Sequence, residues 1–261
     1  WNRSTDKATR FAKESGCAVV DTPAQLMACS EVVITMLADD SASHQVHLGP
    51  DGLFGQKGAQ TVIEMGTMSP DHIKALASAA PDGVQVIDAP VSGATQAAQD
   101  ANLMIMAGCS RQESAAIAPL FDAMGRDVIY LDKTGAGAVM KLAVNALIHG
   151  INQTLAEAMT LAEAAGIASE QAFDAIEASA ACAPMLKYRR GLYLDEANND
   201  VAFTVALARK DMEVTAALAR SYGTAMPQGN ATLQKLIEAE AAGYGARDMA
   251  AMLPFMRGEK P

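Results

Sequence analysis

Two hydrophobic periods divide the chain. In the first half, short apolar and β-branched runs recur at residues 18–20, 32–37, 61–65, 84–91, 103–107 and 128–131, each of a length that suits a buried strand. Helix-like segments lie between most of them, at residues 5–15, 23–28, 69–80 and 110–124. Regular alternation of strand and helix predicts a mostly parallel, doubly wound, Rossmann-like sheet covered on both faces. After about Lys133 the strand pattern stops. The remaining text is rich in Ala, Leu, Met and Glu, and Gly166, Pro184, Gly191, Gly223, Pro227, Gly243 and Pro254 punctuate it into roughly six helices. The first, from Ala138 to Ala165, would be about 40 Å long at roughly 1.5 Å per residue, a length that suits a link between domains or an oligomer seam. The reading is therefore an α/β domain over residues 1–133 and an all-α domain over 134–261 led by a long interdomain helix.

Composition narrows the function. Half of the 261 residues are hydrophobic, enough to bury a core. A net charge of −10 without a basic cluster argues against nucleic acid as a partner. Cys17, Cys29, Cys109 and Cys182 are scattered and form no C-x-x-C pair, so neither a metal site nor a disulfide framework is expected, and a reducing cytoplasm fits. The apolar stretch from Ala138 is interrupted by Lys141, Asn145, His149, Asn152, Gln153, Glu157 and Glu163, which excludes it as a membrane span. No signal-peptide pattern precedes Ser4.

Candidate chemistry clusters where strands end. In a doubly wound domain the end of the second strand meets the adenosine ribose, and an Arg there suits the 2′-phosphate of NADP where an acid would suit the 2′-OH of NAD. "WNRS" offers Asn2, Arg3 and Ser4 without a carboxylate, although Ser4 or Thr5 as a helix cap and Arg3 as a surface residue explain the same letters. The G-x-G-x-x-G turn that should precede such a site is absent, and "GAGAVM" at Gly135 and "GYGARD" at Gly243 are rejected as substitutes because no strand leads into them. "ITMLADD" and "EMGTMSP" close two further strands, bringing Met36, Leu37 and Thr67 to the ligand-binding edge, with Ser69 before Pro70 as a helix start. In "DAPVSGA", Ser92 and Gly93 present a hydroxyl and backbone N–H groups suited to a small carboxylate, or form a plain turn. In "GAGAVMKLAVN", Gly135 and Gly137 allow close backbone approach to a ligand, while Lys141 and Asn145 share one helix face. A lysine there, partly desolvated, could serve as a general acid/base, or could be an ordinary solvated residue.

Taken in order, "WNRS", "MLAD", "GTMSP", "DAPVSGA", "GAGAVMKLAVN", "ARKDM" and "GYGARDMAAM" resemble the β-hydroxyacid dehydrogenase family from Trp1 to about Leu253, lacking only an N-terminal βα unit with its glycine fingerprint. The resemblance implies Lys141 as the catalytic lysine and Asn145 as a substrate-holding residue. It also implies Ser92 and Gly93 in the carboxylate loop, and Thr67, Lys210 and Leu37 beside the cofactor, with His149 structural. The implied activity is oxidation of a short 3-hydroxy acid, or reduction of its semialdehyde, with NADP, NAD remaining possible. Departures are Ala94 in place of a second glycine after "SG", and Asp100–Ala101 where the family often has a glycine. Asn102–Leu103 after Ala97–Ala98 leans toward the hydroxyisobutyrate branch, and Val144, where phosphogluconate dehydrogenases place a histidine, counts against decarboxylation of a sugar phosphate. Two other readings are a noncatalytic dinucleotide-binding oligomeric module and an imine reductase. The apolar helical half predicts a homodimer or homotetramer.

Overall fold

The computed structural model describes residues 1–261, the side chains of Ala94 and Ala197 excepted. The substrate-loop change expected from Ala94 thus lies outside the described residues. The chain packs as two compact units, Trp1–Lys141 and Leu142–Pro261.

The first unit runs α1 (Thr5–Ser15), α2 (Pro23–Cys29), β1 (Val32–Thr35), α3 (Asp40–Leu48), β2 (Thr61–Glu64), α4 (Pro70–Ala79) and β3 (Gln85–Asp88). It continues through β4 (Val91–Ser92), α5 (Ala94–Gln99), β5 (Leu103–Ala107), α6 (Ala118–Met124) and β6 (Gly125–Tyr130). Strands β1, β2 and β3 are parallel, with Thr35, Glu64 and Asp88 in register across their carboxyl ends. Val62 and Ile63 on the middle strand are wholly buried, as expected where helices cover both faces of a parallel sheet. Helix starts follow from local chemistry. Ser69 Oγ accepts the His72 N–H at 3.1 Å with Pro70 in the first turn of α4, and Gly16, at φ 73°, stops α1 in the left-handed conformation.

Three expectations need correction. Residues 18–20 are not a strand: no described strand pairs with them, and Ala18 and Val19 instead border an open groove of about 430 Å³ with Trp1 and Phe11. The run 84–91 is not one strand, because Pro90 has no N–H for a ladder and the chain passes from β3 to β4, which pairs antiparallel with β5. Met106 N donates to Pro90 O at 2.9 Å and Gly108 N to Asp88 O at 2.7 Å, lacing the two three-stranded sheets together. The helix expected from Ser110 forms only at α6: turns lead into it, and Pro119 in its first turn cannot donate backward.

The second unit is helical. Helix α7 (Ala136–Ala164) runs into it from the first unit and is followed by α8 (Ser169–Ala178), α9 (Pro184–Tyr188), α10 (Arg190–Leu194), α11 (Val205–Ser221), α12 (Pro227–Ala239) and α13 (Met252–Met256). Met159, Phe173, Val205, Ala208 and Ala239 form a fully buried centre in which the small residues let helices approach closely. A polar network ties its loops down. Buried Asp248 pairs with Arg189 and accepts the N–H groups of Ala202 and Phe203, both at 3.0 Å, while Tyr193 donates to Asn152 at 2.8 Å. His149 is buried and stacks on Phe203 with ring centroids 5.7 Å apart. Among the described residues, no helix is long and apolar enough to cross a membrane.

Candidate active site

The carboxyl ends of β1, β2 and β3 set the first group of residues. After β1 the chain leaves Met36 60% exposed, whereas Leu37 turns inward against Met68, Ile73 and Ala138. An exposed thioether at this edge is an apolar surface open to a flat ring. After β2, Glu64 is fully buried: Oε1 accepts the Gly66 N–H at 3.0 Å and Oε2 the Ser43 hydroxyl at 2.9 Å. Burial pushes its carboxyl up to about 7, against the pull of those hydrogen bonds. Gly66 is obligatory by space, since a Cβ there would lie 2.5 Å from Leu37 O. Ser69 donates its N–H and hydroxyl to Asp40 at 2.8 and 2.6 Å, so the segment carrying half-buried Thr67 is clamped by Glu64 at one end and by α3 at the other.

At the chain's start, the Trp1 indole donates to Asp21 O at 3.0 Å and its ring packs against the cluster around Met27 and Val33. That anchors an exposed turn in which Asn2 Oδ1 accepts the Ser4 N–H at 2.9 Å. Ser4 occupies the cap position of α1 but makes no side-chain cap bond, and Arg3 is exposed. A free guanidinium beside small hydrogen-bonding groups fits a phosphorylated ribose.

The third group centres on Asp88, which sequence reasoning passed over as a strand residue. Its carboxylate accepts the N–H of Gly135 at 2.8 Å and of Ala138 at 2.9 Å, so the end of β3 holds the start of α7. Burial raises the Asp88 carboxyl above the usual range, opposed by these N–H groups. Gly135 sits at φ 84°, which favours glycine. The close approach expected of Gly137 is real but internal: a Cβ there would lie 2.3 Å from Met106 O, so the glycine admits the protein's own strand and not a ligand. Beyond Asp88 lie Ser92, in β4 opposite Met104, and Gly93, at φ 141°, both half-buried. Ala101, where the family often has glycine, adopts φ 50°, a left-handed conformation that an alanine occupies at some cost.

Lys141 is half-buried in the second turn of α7, and Asn145 is buried one turn further on. Asn145 Nδ2 donates to Asp211 Oδ2 at 2.5 Å, and Lys210 Nζ lies 2.7 Å from Asp211 Oδ1. Asp211, 1% exposed, is the residue of this group that the sequence did not single out. A buried carboxylate beside "K" in "ARKDM" reads from letters alone as a surface ion pair.

The groups a nicotinamide nucleotide calls for are present in kind: exposed Met36 for a ring and half-buried Thr67 for a ribose or carboxamide after β1 and β2, and exposed Arg3 in its own turn for a 2′-phosphate. The sequence holds no glycine-rich diphosphate turn of its own among residues 1–261.

Comparison with known proteins bears on this arrangement. The model of the NAD binding domain of 6-phosphogluconate dehydrogenase matches residues 1–132, and that of the NAD-binding domain of NADP-dependent 3-hydroxyisobutyrate dehydrogenase matches 135–256. Glyoxylate/succinic semialdehyde reductase 1 of Arabidopsis thaliana is 28% identical over 262 residues, covering 98% of this chain and 89% of its own. The cytokine-like nuclear factor N-PAC of Gallus gallus is 27% identical over 97% of this chain, which spans 46% of that protein. The solved 3-hydroxyisobutyrate dehydrogenase of Mycobacterium tuberculosis with L-serine is 25% identical with a TM-score of 0.81, covering 97% of this chain and 89% of that one.

Proposed function

The chain belongs to the β-hydroxyacid dehydrogenase family, and on that premise we propose an NADP-preferring enzyme that interconverts a short 3-hydroxy acid, of the 3-hydroxyisobutyrate kind, and its semialdehyde. As a family member it is an NAD(P)-dependent hydroxyacid dehydrogenase. The finer reading concerns substrate, nucleotide preference and residue roles.

Bound NADP(H) would supply or accept the hydride at the substrate carbon. Lys141 donates the matching proton to the carbonyl oxygen in reduction and removes it in oxidation, a role favoured by its half-buried place in the second turn of α7, among Ala138, Val139 and Leu142 in sequence. Asn145, one turn along the same helix, holds the substrate oxygen, and its orientation is fixed by Asp211. Ser92 and Gly93 anchor the carboxylate. Arg3 with Asn2 and Ser4 takes the 2′-phosphate, Met36 flanks a ring with the inward-packed Leu37 supporting the loop behind it, and Thr67 and Lys210 are further cofactor contacts. The single observation that supports this reading most is that Asp88 joins the strand leading to Ser92 with the helix bearing Lys141.

The test is turnover of short aldehyde acids, with cyclic imines beside them, using NADPH and NADH in parallel. Semialdehyde-dependent oxidation of NADPH supports the reading; oxidation with imines alone assigns the fold to imine reduction. A second reading, a noncatalytic nucleotide-binding module, is favoured by the resemblance to N-PAC, whose name is not that of an enzyme. Nucleotide binding without turnover of any substrate would support it. We further propose a homo-oligomer, dimer or tetramer, because Met140, Leu147 and Leu161 repeat at heptad spacing on α7 and are exposed.

A further inference from the structure

Lys141 is useful only if its ammonium is held at one height, and the structure shows what registers its helix. An α-helix begins with N–H groups that have no partner within it, and a side chain just before the helix ordinarily accepts one of them. At α7 the acceptor comes from elsewhere. Asp88, 47 and 50 residues earlier, takes the N–H of Gly135 on Oδ1 and that of Ala138 on Oδ2.

The seat is built closely around that carboxylate. Asp88 has no exposed surface, and a Cβ on Gly108 would lie 2.1 Å from its Oδ1. On the helix side, a Cβ on Gly137 would lie 2.9 Å from Oδ2 as well as 2.3 Å from Met106 O. The helix start is therefore keyed to strand β3 and not to the loop before it. Lys141 follows Ala138 by less than one turn, so any slip at the cap moves the lysine's backbone with it. From the other side of Asp88 the chain runs through Ala89 and Pro90 directly to Ser92 and Gly93.

We propose that Asp88 is a positioning residue: by capping α7 from the end of β3, its carboxylate fixes Lys141 relative to the Ser92–Gly93 turn without itself touching substrate. The inference rests on the reading of Lys141 as the proton carrier. Misplacing a catalytic group by about 1 Å can cost roughly a hundredfold in rate.

The experiment is a double-mutant cycle on the full chain. Asp88→Asn keeps the shape but turns one acceptor into an amide that faces an N–H. In the parent it should lower kcat by about tenfold to a hundredfold and leave the KM for NADPH within about twofold. In the Lys141→Ala background the same change should lower kcat no further, since the group it positions is gone. Equal losses in both backgrounds would overturn the proposal and make Asp88 a general support of the fold. Parent-like turnover by Lys141→Ala alone would instead refute the lysine reading, and this inference with it. Should Asp88→Asn not fold, Gly137→Ala takes its place in the cycle with the same criteria, because it wedges the junction open from the helix side while Asp88 is kept.

Discussion

Asn145 and Asp211 meet at 2.5 Å with exposures of only 4% and 1%, so a helix-borne amide and a carboxylate 66 residues later form one buried unit. Removing the amide leaves a buried charge with one fewer donor. Asn145→Ala should lower stability by about 1–3 kcal/mol, read as a lower urea midpoint. An unchanged midpoint would show that the pair contributes only orientation.

Glu64 makes stability depend on pH. Its folded-state carboxyl, pushed up to about 7 mainly by burial, lies above the ordinary value of 4.5, so the folded state holds its proton where the unfolded state has lost it. This stabilisation is complete below pH about 4.5 and disappears as pH rises toward 7, up to about 3 kcal/mol from this group. The groups facing it are Ser43, Thr35, the Gly66 N–H and Asp40. Glu64→Gln should therefore gain stability relative to the parent at pH 8 but not at pH 4, measured as thermal midpoints at both.

Arg3 is exposed, so replacing it should leave the fold intact. Arg3→Ala should raise the KM for NADPH by about tenfold and leave that for NADH unchanged, through loss of a charge-assisted contact to the 2′-phosphate. Equal effects on both nucleotides would separate Arg3 from the choice between them.

Leu147 and Leu161 are 66% and 74% exposed on α7. In a homo-oligomer seated on this stripe, Leu147→Lys with Leu161→Lys should shift sedimentation from the oligomer to the monomer mass. A parent that already sediments as a monomer would contradict the assembly.

Much of this architecture was legible in the letters, for physical reasons. Buried parallel strands such as Thr61–Glu64 are apolar on both faces, and Ser69–Pro70 announces a helix start by its own chemistry. Helix α3 went unread: "DSASHQVHL" mixes polar and apolar residues, and its buried Ser43 and His47 face Glu64 and Phe54 through contacts that only tertiary structure creates. The strand expected at residues 18–20 failed because β-branched letters do not supply a ladder partner. For the site, spacing showed only that Lys141 and Asn145 share a helix face and that Ser92 follows a strand; their roles rest on the family resemblance. Asp88 and Asp211 did not stand out, since the Gly135 N–H and the Asn145 amide that they accept lie 47 and 66 residues away, and Gly137, expected to open to a ligand, opens to Met106.

The most direct test concerns the lysine itself. Lys141→Ala should reduce kcat for semialdehyde reduction by about a hundredfold or more, while NADPH binds with unchanged affinity. Turnover equal to that of the unaltered protein would contradict the assignment of the proton transfer to Lys141.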